Sequence, residues 1–379
     1  MRKLLYVTGT RADFGLMAST LQQIAGHPDL ALQLAVTGMH LSPSYGMTVC
    51  DIEAAGLPIV ARVRTNVEDR TPAAMAQGIG QAVIGLTDAF TRAQPDLVMV
   101  IGDRGEMLAG AIAALHVGIP IVHLHGGERS GTVDEPVRHA ITKLSHWHFV
   151  ATEESRERVI RLGERPEHVW VTGAPSLDDL AAAGARPRED VLRELGLAAD
   201  AQYALVLFHP VVQEMEHAYQ QTLAVADALR DALAGSPARI LWLAPNADAG
   251  SARILQALDS ATGERVLRIT HLPRPLYIAA LRHALALVGN SSSGIIEAAS
   301  FGTPVVNIGS RQRARERNDN TLDCPAERRA IAAAITQSLA HGRYRPGNRY
   351  GDGRSGARIT RLLATTPISA GLLDKVNTY

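Results

Sequence analysis

The sequence predicts an α/β protein built from two doubly wound parallel sheets, and three observations carry the prediction. Short apolar runs alternate with longer stretches of helical spacing, the pattern that parallel strands joined by crossover helices require. Polar turns follow several of these runs, and the carboxyl ends of strands are where such sheets hold ligands. The series also starts twice, on either side of the Ala-rich stretch 175–200, in a chain of 379 residues that suffices for two domains.

In order, residues 4–7 read as a buried strand, and GTRADFG at 9–15 as the turn after it. Residues 14–25 have helical apolar spacing and stop at Gly26. Residues 32–36 form the second strand, 42–46 a loop, 47–55 a helix stopped by Gly56, and 73–92 a long helix. Strand 97–101 leads into the turn Gly102-Asp103-Arg104 and helix 105–116, and strand 119–124 follows Gly118. Residues 126–131 are a loop and 134–145 a helix; strands follow at 148–150 and 168–171 with a helix between. The second series has strands at 203–208, 239–243, 265–270, 285–288 and Val305–Ile308, each pair bridged by a helix. A Gly- and Arg-rich loop occupies 343–356, and a last helix runs from about 356 to 363. The expected organisation is a Rossmann-like domain over 1–180, a second over 181–360, and a tail 361–379 packing back near the linker, the two domains facing a cleft.

Composition narrows the function. Apolar residues make up 46 % and charged residues 20 %, which fits a large core. Net charge is zero with no long basic run, so neither nucleic acid nor an anionic membrane surface is an expected partner. Cys50 and Cys324 give no disulfide framework and fit a reducing cytoplasm. The N-terminal apolar run is too short for a signal-peptide core, and no stretch approaches the roughly 20 apolar residues of a membrane span.

The most informative stretch is 289–311, GNSSSGIIEAASFGTPVVNIGSR, read as strand end, tight polar turn, short helix and strand. Serine before a helix satisfies unpaired amides, and those amides with the helix dipole make a cradle for a diphosphate. Glu297 lies one turn in from Ser293, within reach of ribose hydroxyls; the plainer reading is an ordinary serine cap. Four further turns bear chemistry: Arg11 and Asp13; Asp103, Arg104 and Glu106; His125, Glu128, Asp134 and Glu135 before a helix with Arg138 and His139; and His209-Pro210. Converging carboxylates can divide acid and base roles. Singly, Asp134 also fits a helix cap or an i,i+4 partner of Arg138, and Asp103 a cap. His123 and His125 alternate on a strand, so both should face one side, with His146 and His148 near in sequence. No HExxH or CxxC spacing, GxGxxG after a strand, P-loop or GxSxG is present, so neither a metal nor a dinucleotide cofactor is expected.

The motifs GTRADFG, GDRGE, HLHGGERSGTVDEPVRHAITKLSH, FHP, APNADAG, HLP and GNSSSGIIEAASFGTPVVNIGSR, in this order along nearly the whole chain, resemble the hydrolysing UDP-N-acetylglucosamine 2-epimerases. These are the NeuC-type enzymes of bacterial sialic-acid and related nonulosonic-acid pathways. The resemblance implies a GT-B-like fold of two Rossmann-like domains. It implies anti-elimination of UDP through a 2-acetamidoglycal, then hydration to the free manno-configured sugar. Asp103 and Asp134 match its acid/base aspartates, and His209 its HP histidine near the diphosphate. Arg11 matches a phosphate-side arginine, Ser291, Ser292 and Gly294 the diphosphate cradle, and Glu297 the ribose-binding glutamate. Asn246, His271 and Leu272 fall where the family lines the nucleotide pocket, and Arg311 matches an arginine reaching the active site. Some members have a catalytic glutamate, in HIEGGE, where His125 stands; His125 and Glu128 are equal candidates for its role. No cofactor or metal is implied, and a homo-oligomer, dimer or tetramer, is expected.

The stretch GERSGTVDEPVRHA at 127–140 is also similar to enzymes acting on UDP-N,N'-diacetylbacillosamine in legionaminic-acid pathways, the alternative substrate. A non-hydrolysing UDP-N-acetylglucosamine 2-epimerase would carry GTRPE in the first turn, where this chain has Arg11-Ala12-Asp13-Phe14. A GT-B glycosyltransferase would need an acceptor. A non-catalytic sensor of nucleotide sugars would be expected to lack Asp103 and Asp134, both of which are present.

Overall fold

The apolar runs Leu97–Ile101, Ile121–Leu124 and Tyr203–Leu207, which become strands in the middle of two sheets, are buried almost throughout. In the computed structural model, which describes residues 1–69, 71–130, 134–245, 248–261 and 263–378, the chain divides into two units. The first comprises Met1–Glu128, Val133–Asp178 and Tyr350–Tyr379, and the second Arg129–Thr132 and Asp179–Arg349.

In the first unit the strands are β1 (Arg2–Thr8), β2 (Leu30–Thr37), β3 (Ile59–Val63), β4 (Leu97–Ile101), β5 (Ile121–Leu124), β6 (Trp147–Val150) and β7 (Val169–Val171). Its helices before the second unit are α1 (Arg11–Ala25), α2 (Val49–Ala54), α3 (Pro72–Ala93), α4 (Gly105–Val117), α5 (Asp134–Leu144) and α6 (Glu153–Arg161). Every strand pair is parallel, in the order β3-β2-β1-β4-β5-β6-β7 among the described residues. The period of two in a strand sends alternate side chains to opposite faces. Leu4 and Tyr6 accordingly pack with Phe14, Met17 and Leu21 of α1, while Leu5 and Val7 pack with Leu86 and Phe90 of α3 and Met107 of α4.

The second unit holds α7 (Leu180–Gly184) and α8 (Arg188–Glu194), then β8 (Tyr203–Leu207), α9 (Ala218–Ala232), β9 (Arg239–Leu243), α10 (Ser251–Ala261) and β10 (Val266–Ile269). It continues with α11 (Arg274–His283), β11 (Leu287–Gly289), α12 (Ser292–Ile296), β12 (Val305–Ile308), β13 (Thr321–Cys324) and α13 (Arg328–His341). This sheet too is parallel, in the order β10-β9-β8-β11-β12-β13. The chain then returns to the first unit as α14 (Ser355–Thr365), whose Ile359 and Leu363 join the core on the α1 side. Asp178 fixes the start of α14 by accepting from the amides of Ser355, at 2.8 Å, and Gly356.

In each sheet the strand order reverses once in the middle, between β1 and β4 and between β8 and β11. At such a switch point the two outgoing chains part and leave a crevice beyond the carboxyl ends, where doubly wound sheets bind ligands. The turns that the sequence singles out lie there: Arg11 and Asp103 follow β1 and β4, and His209 and Ser291 follow β8 and β11.

The stretch 175–200, expected as a linker, folds into a short 3₁₀ turn, α7 and α8.

Candidate active site

The turn after β1 is braced from within. The Asp13 carboxylate is buried and accepts from the Gly9 amide (3.1 Å), the Thr10 amide (2.7 Å), the Thr10 hydroxyl (2.8 Å) and the Thr8 hydroxyl. Together with the Thr10 cap on the Asp13 amide this forms a capping box, which satisfies the first amides of α1. Arg11 is therefore delivered as the first residue of a capped helix. Burial lowers its pKa, opposed by Asp51.

The turn after β4 is held by α5. The Arg138 guanidinium, fully buried, pairs with the Asp103 carboxylate and donates to the Glu128 carbonyl at 2.9 Å. Asp103 does not cap the next helix: the cap of α4 is Arg104, with no side-chain bond, because the carboxylate turns to Arg138 instead. The preceding carbonyl, of Gly102, accepts from His123 Nε2 at 2.8 Å, and His123 Nδ1 meets the Thr142 hydroxyl at 3.1 Å. Burial drives His123 down to about 3, so the neutral imidazole bridges the two. Asp134 opens α5 one turn before Arg138.

His123 and His125 do not share a face. β5 ends at Leu124, and His125 takes a left-handed conformation (φ 61°) that rotates its ring out of the strand's alternation. There the amide still bonds the Phe149 carbonyl at 3.0 Å, while Nδ1 pairs with the Glu128 carboxylate; both side chains are nearly buried. The two candidates for one role are thus a single hydrogen-bonded pair, with His125 Nε2 left without a partner among the described residues. Of the other histidines near in sequence, His146 Nδ1 accepts from the Ile121 amide at 3.1 Å, and His148 Nε2 lies 3.0 Å from Glu164.

In the second unit Asn290 is the hub. Its side chain exchanges two bonds with the His209 main chain, Oδ1 accepting from the amide and Nδ2 donating to the carbonyl, each 2.8 Å. Its carbonyl accepts from Arg311 and Gln312, both at 3.2 Å. Three turns, after β8, β11 and β12, are thereby set in one register. Ser291 caps α12 and accepts from the Ser293 amide at 3.3 Å. Gly294 is required by packing: a Cβ there would stand 2.9 Å from Val305 and 3.0 Å from Leu287, so glycine lets α12 lie close on the sheet. Glu297 is buried and committed within the unit, accepting from the Ser293 hydroxyl and lying 2.7 Å from the Arg274 guanidinium. Arg274 also donates twice to Asp179, at 3.2 and 3.3 Å. Burial would lower the Arg274 pKa; Glu297 and Asp179 outweigh it and raise it. His271 and Leu272 are half-buried in the loop between β10 and α11. Asn246 lies outside the described residues.

Sequence pattern marks Asp103, His125, Glu128 and His209 as turn residues, but it offers Arg138 only as an i,i+4 partner of Asp134 and gives Asn290 and Arg274 no role of their own. Their partners lie 35, 81 and 95 residues away in the chain, and no local spacing signals such pairs.

A family model described as UDP-N-acetylglucosamine 2-epimerase matches residues 22–364. The chain is 44 % identical over 380 residues, covering 100 % of each, to a protein of Legionella pneumophila named UDP-N,N'-diacetylbacillosamine 2-epimerase (hydrolyzing). It is 33 % identical over 353 residues, covering 93 % of this chain and 92 % of the other, to a UDP-N-acetylglucosamine 2-epimerase of Neisseria meningitidis. Among solved structures, a UDP-GlcNAc 2-epimerase from Neisseria meningitidis bound to UDP-GlcNAc superposes with a TM-score of 0.79 at 18 % identity, over 95 % of this chain and 99 % of the other.

Proposed function

Because the chain belongs to the UDP-N-acetylglucosamine 2-epimerase family and to its hydrolysing enzymes, we propose that it converts a UDP-2-acetamido sugar and water into UDP and the free manno-configured sugar. The observation that carries this reading is the cluster at the carboxyl ends of β4 and β5: Asp103 on the buried Arg138, and His125 on Glu128. A base removes the C2 proton while the C1–O bond to the diphosphate breaks, its electron pair leaving with UDP. Water then adds across the resulting 2-acetamidoglycal, hydroxyl to C1 and a proton to C2 from the opposite face. That sequence needs one group to accept a proton and another to return one from the other side. Asp103 and Asp134 fill these roles, and the His125–Glu128 pair relays the second proton. In the second unit Ser291, Ser292 and Gly294 form the diphosphate cradle, with His209 and Arg311 beside it on the Asn290 hub. Arg11, from the first unit, meets the phosphates. Glu297, Asn246, His271 and Leu272 serve the nucleoside.

The substrate we favour is UDP-N,N'-diacetylbacillosamine, the one in the name of the relative at 44 % identity, over UDP-N-acetylglucosamine, in the name of the relative at 33 %. An NMR time course in deuterated water with each nucleotide sugar, and no acceptor, tests both points. Free manno-configured sugar deuterated at C2, appearing with UDP, is expected, and faster from the diacetylated substrate. A UDP-linked epimer at equilibrium would make the enzyme non-hydrolysing, and inertness toward both substrates would overturn the reading.

A further inference from the structure

The helix α5 opens with Asp134 and carries Arg138 and Thr142 on its buried side, where both are fully enclosed. These two residues hold the catalytic turn from both directions. Arg138 grips the Asp103 carboxylate, and Thr142, through His123, fixes the Gly102 carbonyl just before it. Wherever α5 sits, Asp103 and Asp134 follow.

The far end of α5 is held by residues near the end of the chain. Lys375 Nζ donates to the Thr142 carbonyl at 3.1 Å and to the Ser145 carbonyl at 2.5 Å. These carbonyls close the C-terminal end of the helix, the first of them also accepting the Ser145 amide at 3.1 Å, and a cation there suits the negative end of the dipole. The same ammonium lies 2.7 Å from the buried Glu164 carboxylate, which also takes Lys143 of α5 at 2.7 Å and lies 3.0 Å from His148 Nε2 on β6. Further along, Asn377 accepts from Lys143 at 2.8 Å and the Thr378 amide donates to the Gly163 carbonyl at 3.2 Å. None of these contacts belongs to the cluster that handles protons, yet all bear on the helix that carries it.

We propose that the C-terminal segment is a latch on the active site, with Lys375 a positioning residue that fixes α5 and through it Asp103 and Asp134. The proposal rests on the acid/base reading of those two aspartates. A helix is stiff along its length, so release at one end tilts the other, and a displacement near 1 Å at a reacting group costs on the order of 100-fold in rate.

The test uses the full-length chain with Lys375→Met and Lys375→Arg. Lys375→Met should lower kcat at least about tenfold while KM and UDP affinity change by no more than about twofold, as expected when placement rather than binding is lost. Amide hydrogen exchange in α5 should quicken, and Lys375→Arg should recover most of both properties. Lys375→Gln replaces the methionine variant should that fail to fold. Wild-type kcat in Lys375→Met, or an arginine variant as impaired as the methionine one, would overturn the proposal. So would unchanged exchange in α5. If the wild-type protein turns over no UDP-2-acetamido sugar, the functional reading fails, while exchange in α5 still decides whether Lys375 holds the helix.

Discussion

At the scale of single residues, Asp103 is defined by what holds it. Its carboxylate is about a fifth exposed while its partner Arg138 is enclosed, so one side is anchored and the other open. Asparagine at this position keeps the shape and a carbonyl for Arg138 but cannot take or give the proton. Asp103→Asn is therefore expected to lower turnover by about 10²- to 10⁴-fold, the usual worth of a general acid or base. Asp134→Asn should do the same, and UDP affinity, measured by calorimetry, should stay within about twofold in both. Full turnover in either variant would remove that residue from the mechanism. Residues such as Asp103 and His209 are legible in the sequence because a polar group directly after an apolar strand has few places to go but the carboxyl edge of the sheet. Asn290 and Arg138 act by exchanging bonds with distant main chain and side chain, and nothing near them in the chain announces it.

At the scale of elements, the strand β11 ends in a glycine for a steric reason. Gly289 has φ 143°, and a Cβ built on it would stand 1.9 Å from the Leu207 carbonyl oxygen of β8. The two strands thus approach at the switch point only if this residue lacks a side chain, and the Asn290 clamp on His209 follows immediately. Gly289→Ala should cost at least about 2 kcal/mol of stability, from strain in φ/ψ with the clash added. It should also weaken UDP binding, since β8 must retreat from β11. A urea midpoint within error of the wild type would show that the strands can part freely, against this account. The same scale shows which elements sequence pattern reveals. Strands in the middle of either sheet carry unbroken apolar runs and were legible. Two edge strands, β3 and β13, were not, their residues being only partly buried, although the other two edges, β7 and β10, were legible at 168–171 and 265–270. In 175–200, alanine and proline suggested a linker, while packing against α11 gives α7 and α8 their helical form.

At the scale of the whole molecule, the two units store charge differently, and acid should distinguish them. Three histidines of the first unit are kept neutral by burial before any other cause: His123 is pushed down to about 3, and His40 and His146 to about 4. Their bonds fit that state. His40 bridges the hydroxyls of Thr8 (2.9 Å) and Thr48 (2.8 Å), and His146 accepts an amide hydrogen. In the unfolded chain all three titrate near ~6.5. Between that value and the folded one, the unfolded state binds more protons, so stability rises with pH and is lost as pH falls through this window. Glu164 acts in the same sense lower down. Burial would raise it, but His148, Lys143 and Lys375 bring it to about 2, so its contribution is present above the unfolded carboxylate value and fades on the way down. In the second unit burial also lowers His283. The urea midpoint of the first unit should therefore fall from pH 7 to pH 4.5; these three histidines give a slope approaching three protons, about 4 kcal/mol per pH unit, and the lowering of His148 and His168 by burial acts in the same sense. Hydrogen exchange should show its sheet losing protection before that of the second unit. A midpoint flat over this range, or earlier opening of the second unit, would mean that these histidines are not held neutral, and that the buried bridges from His123 to Gly102 and from His40 to Thr8 do not set the turns after β4 and β1.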